Sequence, residues 1–146
     1  MRILIIDGQS GRIGACLAEE LRRRGVTERH EVLGVGTNAL ATAAMLKAGV
    51  SAGATGENAA VVQAKKADII TGPIGILLAD SLLGEITPAI SVAVGQSEAV
   101  KIPVPVNRCA CRIVGADALT RTQLIEAVCD EIERISSPKK PEIAQL

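Results

Sequence analysis

Residues 2–14, Arg-Ile-Leu-Ile-Ile-Asp-Gly-Gln-Ser-Gly-Arg-Ile-Gly, decide the fold. The apolar, β-branched run over residues 2–7 predicts a buried strand that ends at an Asp-Gly pair. A helix is expected over about residues 11–24, because apolar residues recur there at four-residue spacing. Three glycines, three residues apart, join the strand to the helix: Gly8, Gly11 and Gly14. This order is typical of an α/β domain with a parallel sheet.

A glycine-rich turn between a strand and a helix can bind a phosphate. The first glycine permits a tight turn, the second a close approach of the backbone to the ligand, and the third close packing of helix on strand. Free N–H groups at the start of the helix then face an anion. The turn therefore predicts a phosphate or nucleotide site, and a plain tight turn is the alternative. The predicted ligand-binding residues are Asp7, Gly8, Gln9, Ser10, Gly11, Arg12, Ile13 and Gly14.

Two features of the sequence are unusual for a dinucleotide site. Asp7 stands where a pyrophosphate favours an uncharged residue, so its side chain either caps the turn or contacts a metal or a ligand cation. No acid follows the second predicted strand, residues 31–36, to bind a ribose 2′-OH. Thr37 and Asn38 stand there instead and are predicted to contact the ligand. This favours NADP, with its 2′-phosphate, or another nucleotide over NAD.

The rest of the chain alternates strands with helices. Residues 50–56 are ambiguous between a short strand and a loop. The remaining predicted elements are a helix from the Asn38 cap to Gly49, a helix over 57–66, a strand over 68–71, a helical stretch to about Leu83, a helix from Thr87-Pro88, an edge strand over 101–106, a possible strand over 111–114 and a helix over 119–135. We expect an α/β fold: a Rossmann-like, doubly wound, mostly parallel sheet of about five strands with helices on both faces. One domain is expected over residues 1–135, followed by a flexible tail over residues 136–146.

A second glycine turn follows the strand predicted at residues 68–71. In a doubly wound sheet the first and fourth strands are neighbours at the point where strand order reverses. Both glycine turns and the Thr37-Asn38 cap are therefore expected to face one crevice. The alternative is that the Gly-Pro pair merely ends a strand. The predicted ligand-binding residues of this turn are Thr71, Gly72, Pro73, Ile74 and Gly75.

Few other residues are candidates for chemistry. Asn107 and Arg108 are predicted ligand contacts, since an arginine can bind a phosphate or a carboxylate bidentately. Glu57 and Glu85 are candidate bases, although helix capping also explains the polar residues around them. Cys109 is a candidate reactive thiol. No metal site is expected, because the four cysteines and the one histidine lack paired ligand spacing.

The composition argues against several functional classes. Lys+Arg and Asp+Glu number 16 each, so a net charge of +0 gives no electrostatic reason to bind nucleic acid or an anionic membrane. Phe, Tyr and Trp are absent, which excludes base-stacking platforms and a catalytic tyrosine. No apolar run reaches the roughly 18 residues of a membrane span. We therefore expect a cytoplasmic protein. We also expect a homo-oligomer, such as a homodimer, because small apolar side chains bury little area each and an oligomer extends the core.

Six separated motifs occur in the order IDGQSGRIG, GTNALATAAMLKAGV, GATGENA, TGPIGIL, GEITPAI and KIPVPVNRC. Over about residues 2–133 this pattern resembles the family called domain of unknown function 3842. The resemblance implies a bacterial cytosolic protein and implies no particular activity.

Three functional hypotheses follow. The preferred one is a protein that binds a nucleotide or another phosphate-bearing small molecule without catalysis of its own. The second is a small enzyme that uses NADP or a similar nucleotide at a homo-oligomer interface, with Asp7, Glu57, Glu85 or Cys109 as its acting groups. The third is a structural subunit or interaction module that binds its partner through the Ala-rich helices near residues 38–48 and 57–66.

Overall fold

The computed structural model describes residues 1–106 and 110–138. Within these ranges the chain forms five strands and six α-helices. Their order is β1 (Arg2–Asp7), α1 (Arg12–Arg23), α2 (Val26–Arg29), β2 (Glu31–Gly36), α3 (Ala39–Ala48), β3 (Ala52–Thr55), α4 (Glu57–Ala64), β4 (Ile69–Pro73), α5 (Pro88–Gln96), β5 (Val100–Val104) and α6 (Arg121–Ser136). No helix in the described part of the chain is both long and apolar enough to cross a membrane.

The five strands form one parallel sheet in the order β3-β2-β1-β4-β5. β1 lies at the centre, where Ile3 pairs with Val32 of β2 on one side and with Ile69 of β4 on the other. The chain winds outward in one direction from β1 to β3 and in the other from β4 to β5. The predicted α/β, Rossmann-like, doubly wound sheet is therefore confirmed, and the strand order reverses between β1 and β4.

Helices cover both faces of the sheet because successive side chains of a strand point to opposite faces. Ile3 and Ile5 pack in one core with residues of α1, α3 and α6. Leu4 and Ile6 pack in the other core with residues of α4 and α5. All four side chains are fully buried. Each such side chain contributes about 2 kcal/mol through burial, and both layers are filled without an aromatic residue.

Two helices begin where the sequence predicts. Asn38 accepts a hydrogen bond from Ala41 N at 2.9 Å and begins α3. Thr87 accepts one from Ile90 N at 3.2 Å and begins α5, whose first residue is Pro88. These bonds satisfy N–H groups that the helix itself leaves unpaired.

The segment after β4 corrects the prediction of a helix to Leu83. β4 continues through Pro73, and only a short 3₁₀ turn, Ile74–Leu77, follows it. Asp80, Leu82 and Leu83 then adopt φ values of 65°, 53° and 57°. A left-handed backbone cannot continue a right-handed helix, so the apolar pattern of this segment was misleading.

Two other predictions have different outcomes. The ambiguous segment 50–56 contains the edge strand β3, whose residues are all exposed. Residues 111–114 do not form a strand. Val114 in that segment is fully exposed, so it lacks the burial that an apolar run in a strand predicts. The predicted tail over 136–146 lies mostly outside the described residues.

Candidate functional site

A cleft opens at the carboxyl ends of β1 and β4, where the strand order reverses. Its cavity volume is about 50 Å³. Residues 7–10, 12 and 13 of the first glycine turn form one wall, and residues 73–75 form the other. Leu82 and Val106 complete the lining. The structure thus brings parts of both predicted turns to one crevice, in the position where doubly wound sheets bind ligands.

Asp7 closes the first glycine turn from inside. Its Oδ1 accepts from Gly8 N at 2.8 Å and its Oδ2 accepts from Gly14 N at 2.7 Å. The residue is only 4% exposed. Burial raises the pKa of Asp7 above its ordinary value, and the nearby Glu85 acts in the same direction, while the backbone N–H groups oppose them. The capping alternative is therefore the observed one. The Asp7 carboxylate accepts from the two N–H groups on the inner side of the turn, those of Gly8 and Gly14, where α1 begins.

A second carboxylate reaches the same turn from a distant segment. Glu85 Oε2 accepts from Gln9 N at 2.6 Å, and its Oε1 accepts from Asn38 Nδ2 at 2.6 Å. Asn38 Nδ2 also donates to Gln9 O at 3.0 Å. Glu85, which the sequence offered as a candidate base, is therefore an acceptor that ties its own segment to the turn and to the cap of α3.

The three glycines of the turn are all required by packing within the protein. A Cβ at Gly8 would lie 2.6 Å from Thr37 Oγ1, and one at Gly14 would lie 2.7 Å from Met45 Sδ. Gly11 adopts a φ of 71°, and its Cβ would lie 2.6 Å from Ala41 Cα. The predicted role of the second glycine is therefore corrected: Gly11 makes room for α3 and not for a ligand.

Ser10 and Arg12 are the groups of the first turn that stay available. Both are exposed and both line the cleft. Their backbone N–H groups make no hydrogen bond with a described residue. Arg12 is the first residue of α1, so its N–H lies at the positive end of the helix dipole.

The second glycine turn has a different construction. Thr71 is fully buried, and its hydroxyl donates to Ile102 O of β5 at 2.7 Å. Gly72 adopts a φ of 144°, and a Cβ there would lie 2.1 Å from Ile6 O of β1. Pro73 has no N–H group to offer. Thr71 and Gly72 therefore serve the sheet, and residues 73–75 reach the cleft at the start of a short 3₁₀ turn and not of the predicted longer helical stretch.

The remaining predicted site residues are distributed as follows. Thr37 Oγ1 is buried and has no hydrogen-bond partner among the described residues. Asn107, Arg108 and Cys109 lie outside the described residues. Glu57 begins α4, which follows the edge strand β3. Of the four candidate acting groups, the structure brings Asp7 and Glu85 together at the first turn.

The sequence places this chain among known proteins through one family model. The model, described as Domain of unknown function (DUF3842), matches residues 2–137. The chain belongs to this family. The solved structure of a dodecameric FMN-dependent Ubix-like decarboxylase from Escherichia coli O157:H7 is similar over 100% of this chain and 99% of that chain, with 13% identity and a TM-score of 0.44. No curated protein matches the chain significantly.

One feature of this member of the family had almost no signal in the sequence. Asp80, Leu82, Leu83 and Gly84 form a left-handed segment above the first glycine turn, with φ values between 53° and 86°. Such a backbone costs about 1 kcal/mol for each residue that carries a Cβ. Leu83 is 96% exposed, while Leu82 lines the cleft. Gly84 and, more weakly, Asp80 were the residues here whose types indicated a left-handed backbone.

Proposed function

We propose that this protein binds a small phosphate-bearing molecule, such as a nucleotide, in the cleft between the first glycine turn and residues 73–75. One observation carries the proposal: Ser10 and Arg12 are exposed at the cleft, and their backbone N–H groups donate to none of the residues that the structure describes. The start of a helix favours an anion. Ligands of doubly wound sheets bind at the point where strand order reverses.

The bound phosphate lies on the outer side of the turn in this proposal. Asp7 already accepts from the inner N–H groups of Gly8 and Gly14. The N–H groups of Ser10 and Arg12, the Ser10 hydroxyl and the Arg12 guanidinium remain as donors. An exposed arginine beside a helix start provides charge-assisted hydrogen bonds, which are the stronger kind.

The apolar part of the ligand packs against Ile74, Leu82 and Val106 in this proposal, since these side chains line the cleft. Asn107 and Arg108 directly follow Val106 in the chain, and we propose them as further contacts. NADP is a candidate ligand because Thr37 and Asn38 follow β2 where NAD sites carry an acid.

A catalytic role is not part of the proposal. Asp7 and Glu85, the two candidate acting groups at the first glycine turn, both accept hydrogen bonds that hold the turn together. A base needs a free lone pair directed at its substrate.

We also propose that the protein is a cytoplasmic homo-oligomer, such as a homodimer. Support comes from large apolar side chains that this fold leaves exposed, among them Leu40, Leu46 and Val114. Light scattering coupled to size exclusion measures the mass directly. A species of monomer mass at all concentrations would contradict this part of the proposal.

Calorimetric titration tests the ligand proposal. The wild-type protein is titrated with inorganic phosphate, ATP, a cyclic nucleotide, NADP and NADPH. At least one nucleotide is expected to bind, and Arg12→Gln is expected to weaken its binding about tenfold, as loss of a hydrogen bond to a charged group predicts. Arg121→Gln is the matched control, because Arg121 is the first residue of α6 as Arg12 is of α1. A folded protein that binds none of these compounds would contradict the proposal.

A further inference from the structure

The carboxylate of Glu85 accepts a hydrogen bond from one backbone N–H group of the proposed anion site, that of Gln9. Gln9 N donates to it at 2.6 Å, and Gln9 adopts a left-handed φ of 50°. Left-handed residues within a turn direct successive N–H groups into a concavity that binds anions. Glu85 is therefore an anion already bound to this turn, although it belongs to another segment of the chain.

Glu85 lies at the end of a four-residue tip, residues 82–85, which we call the strap. The base of the strap is closed by hydrogen bonds from Asp80 N to Ile86 O, at 2.7 Å, and from Ile86 N to Ser81 O, at 3.2 Å. Ser81 and Ile86 are buried, and the Ser81 hydroxyl donates to Gly75 O. The base is thus firmly attached to the body of the protein.

The strap itself is attached to the first glycine turn through two side chains. Glu85 accepts from Gln9 N and Asn38 Nδ2. Leu82 Cδ1 lies 3.0 Å from the position of a Cβ on Gly8. Leu83 is almost fully exposed, and nothing lies within 4 Å of a Cβ on Gly84. Gly84 N also donates to Asp80 O at 3.1 Å and to Ser81 O at 3.2 Å. The strap can turn on its base once these two hydrogen bonds and the contacts of Glu85 and Leu82 are released.

With the strap in place, the cleft is small for a ligand of nucleotide size. The cleft holds about 50 Å³ with Leu82 in its lining. Sites for ligands of nucleotide size hold roughly 300–1,000 Å³. Withdrawal of Leu82 enlarges the cleft on the side of the first turn, next to the donors of Ser10 and Arg12.

We infer that the strap is a lid that Glu85 holds shut, and that the ligand's phosphate opens it by replacing the Glu85 carboxylate on Gln9 N. This inference rests on the proposed function, because it names the step by which the same cleft admits its ligand. The ligand's phosphate thus takes the place of the Glu85 carboxylate as the anion that accepts from Gln9 N. In the closed state the left-handed φ values of Leu82 and Leu83 cost about 1 kcal/mol each, and the hydrogen bonds of Glu85 stabilise it.

Hydrogen–deuterium exchange on the full chain, with and without ATP, tests the movement. ATP is expected to protect the N–H groups of Gln9 and Ser10 and to accelerate exchange of the strap, residues 82–85, several-fold, since opening removes local protection. A strap that is unchanged or protected when ATP is bound overturns the lid.

Three variants test the role of the carboxylate by calorimetry with ATP. Glu85→Gln and Glu85→Ala are expected to bind ATP about tenfold more tightly than the wild type, because the cleft no longer has to be opened against Glu85. Glu98→Gln is the matched control, since Glu98 is exposed and lies before β5. Glu85→Gln keeps the shape of the side chain, so a result is available if Glu85→Ala does not fold.

The outcomes separate the lid from the proposed function. Equal or weaker ATP binding by the Glu85 variants, with ATP bound by the wild type, overturns the lid and leaves the proposed function standing. ATP binding by the variants alone supports both. A folded wild type and folded variants that all fail to bind ATP overturn the lid and contradict ATP as a ligand of the cleft. If Glu85 acts on ATP only through its negative charge, the Glu85 variants also bind ATP more tightly. In that case, however, ATP does not change the hydrogen exchange of the strap in the wild-type protein.

Discussion

The two glycine turns of this protein follow neighbouring strands, yet they have different constructions. The first turn leads into α1 and keeps donors at the cleft, whereas the second continues β4 and leads into a short 3₁₀ turn. In the first turn Gly11 makes room for α3, and in the second Gly72 makes room for β1. A glycine after a buried strand therefore shows that some backbone approaches closely, and the neighbouring element decides whether an anion site results.

The largest expected effect belongs to the second turn. Gly72→Ala places a Cβ 2.1 Å from Ile6 O in the centre of the sheet, at a φ of 144°. We expect a loss of about 4 kcal/mol or more in the free energy of unfolding, which removes most of the stability of a domain of this size. Urea unfolding followed by circular dichroism measures it. A loss of about 1 kcal/mol would show that the strands tolerate a side chain there.

Gly11→Ala tests the first turn in the same way. A Cβ there meets the backbone of Ala41 at a φ of 71°, so we expect a loss of about 3 kcal/mol in the free energy of unfolding. Gly84→Ala is the control, because Gly84 has a φ of 86° and nothing within 4 Å of its Cβ position, and its cost is about 1 kcal/mol. Equal costs for the two variants would refute the packing explanation of Gly11.

Asp7→Ala tests whether the carboxylate holds the first turn closed. The substitution leaves two buried N–H groups, those of Gly8 and Gly14, without their acceptor. We expect a loss of about 2 kcal/mol in the free energy of unfolding, measured in urea. A neutral effect would mean that water replaces the carboxylate without cost.

The pH dependence of the same variant follows from the raised pKa of Asp7. The folded protein retains this proton at higher pH than the unfolded chain, in which the pKa of the carboxyl is near its ordinary value of 3.8. Over the window that begins at 3.8 and ends at the folded pKa, the contribution of Asp7 to the free energy of unfolding decreases as pH rises. The cost of Asp7→Ala is therefore expected to grow as the pH falls through this window. If the cost of Asp7→Ala shrinks as the pH falls, the pKa of Asp7 is lowered in the folded protein and this account is contradicted.

The smallest expected effects separate the two turns by function. Thr71→Val removes the hydrogen bond to Ile102 O and is expected to lower the free energy of unfolding by about 1 kcal/mol, with ATP affinity unchanged. Ser10→Ala is expected to do the reverse: ATP binding weakens several-fold, and the free energy of unfolding stays within about 0.5 kcal/mol. Urea unfolding and calorimetry on both variants measure this. A change in ATP affinity caused by Thr71→Val alone would assign the ligand to the second turn.

Much of the fold could be predicted from the sequence because its signals are local. The buried run of β1, the Asn38 and Thr87 caps and the alternation of strands and helices all depend on neighbouring residues. The crevice between β1 and β4 followed from the strand order that such alternation implies.

The details of the site depend on contacts that the local sequence does not encode. Glu85 meets Gln9 across 76 residues of chain. Leu82 and Leu83 are typical helix residues, and only the tertiary structure holds them in a left-handed backbone. Gly72 and Pro73 fit both the end of a strand and the start of a helix, and pairing with β5 selected the strand.

The central claim is that the inner N–H groups of the first turn are held by Asp7, while Ser10 and Arg12 receive a ligand's phosphate. Two-dimensional NMR of the ¹⁵N-labelled protein during titration with ATP tests it most directly. The amide signals of Ser10 and Arg12 are expected to shift and to saturate together, with Gly14 unchanged. A titration in which Gly14 shifts while Ser10 and Arg12 stay in place would contradict the claim, as would one in which none of the three responds.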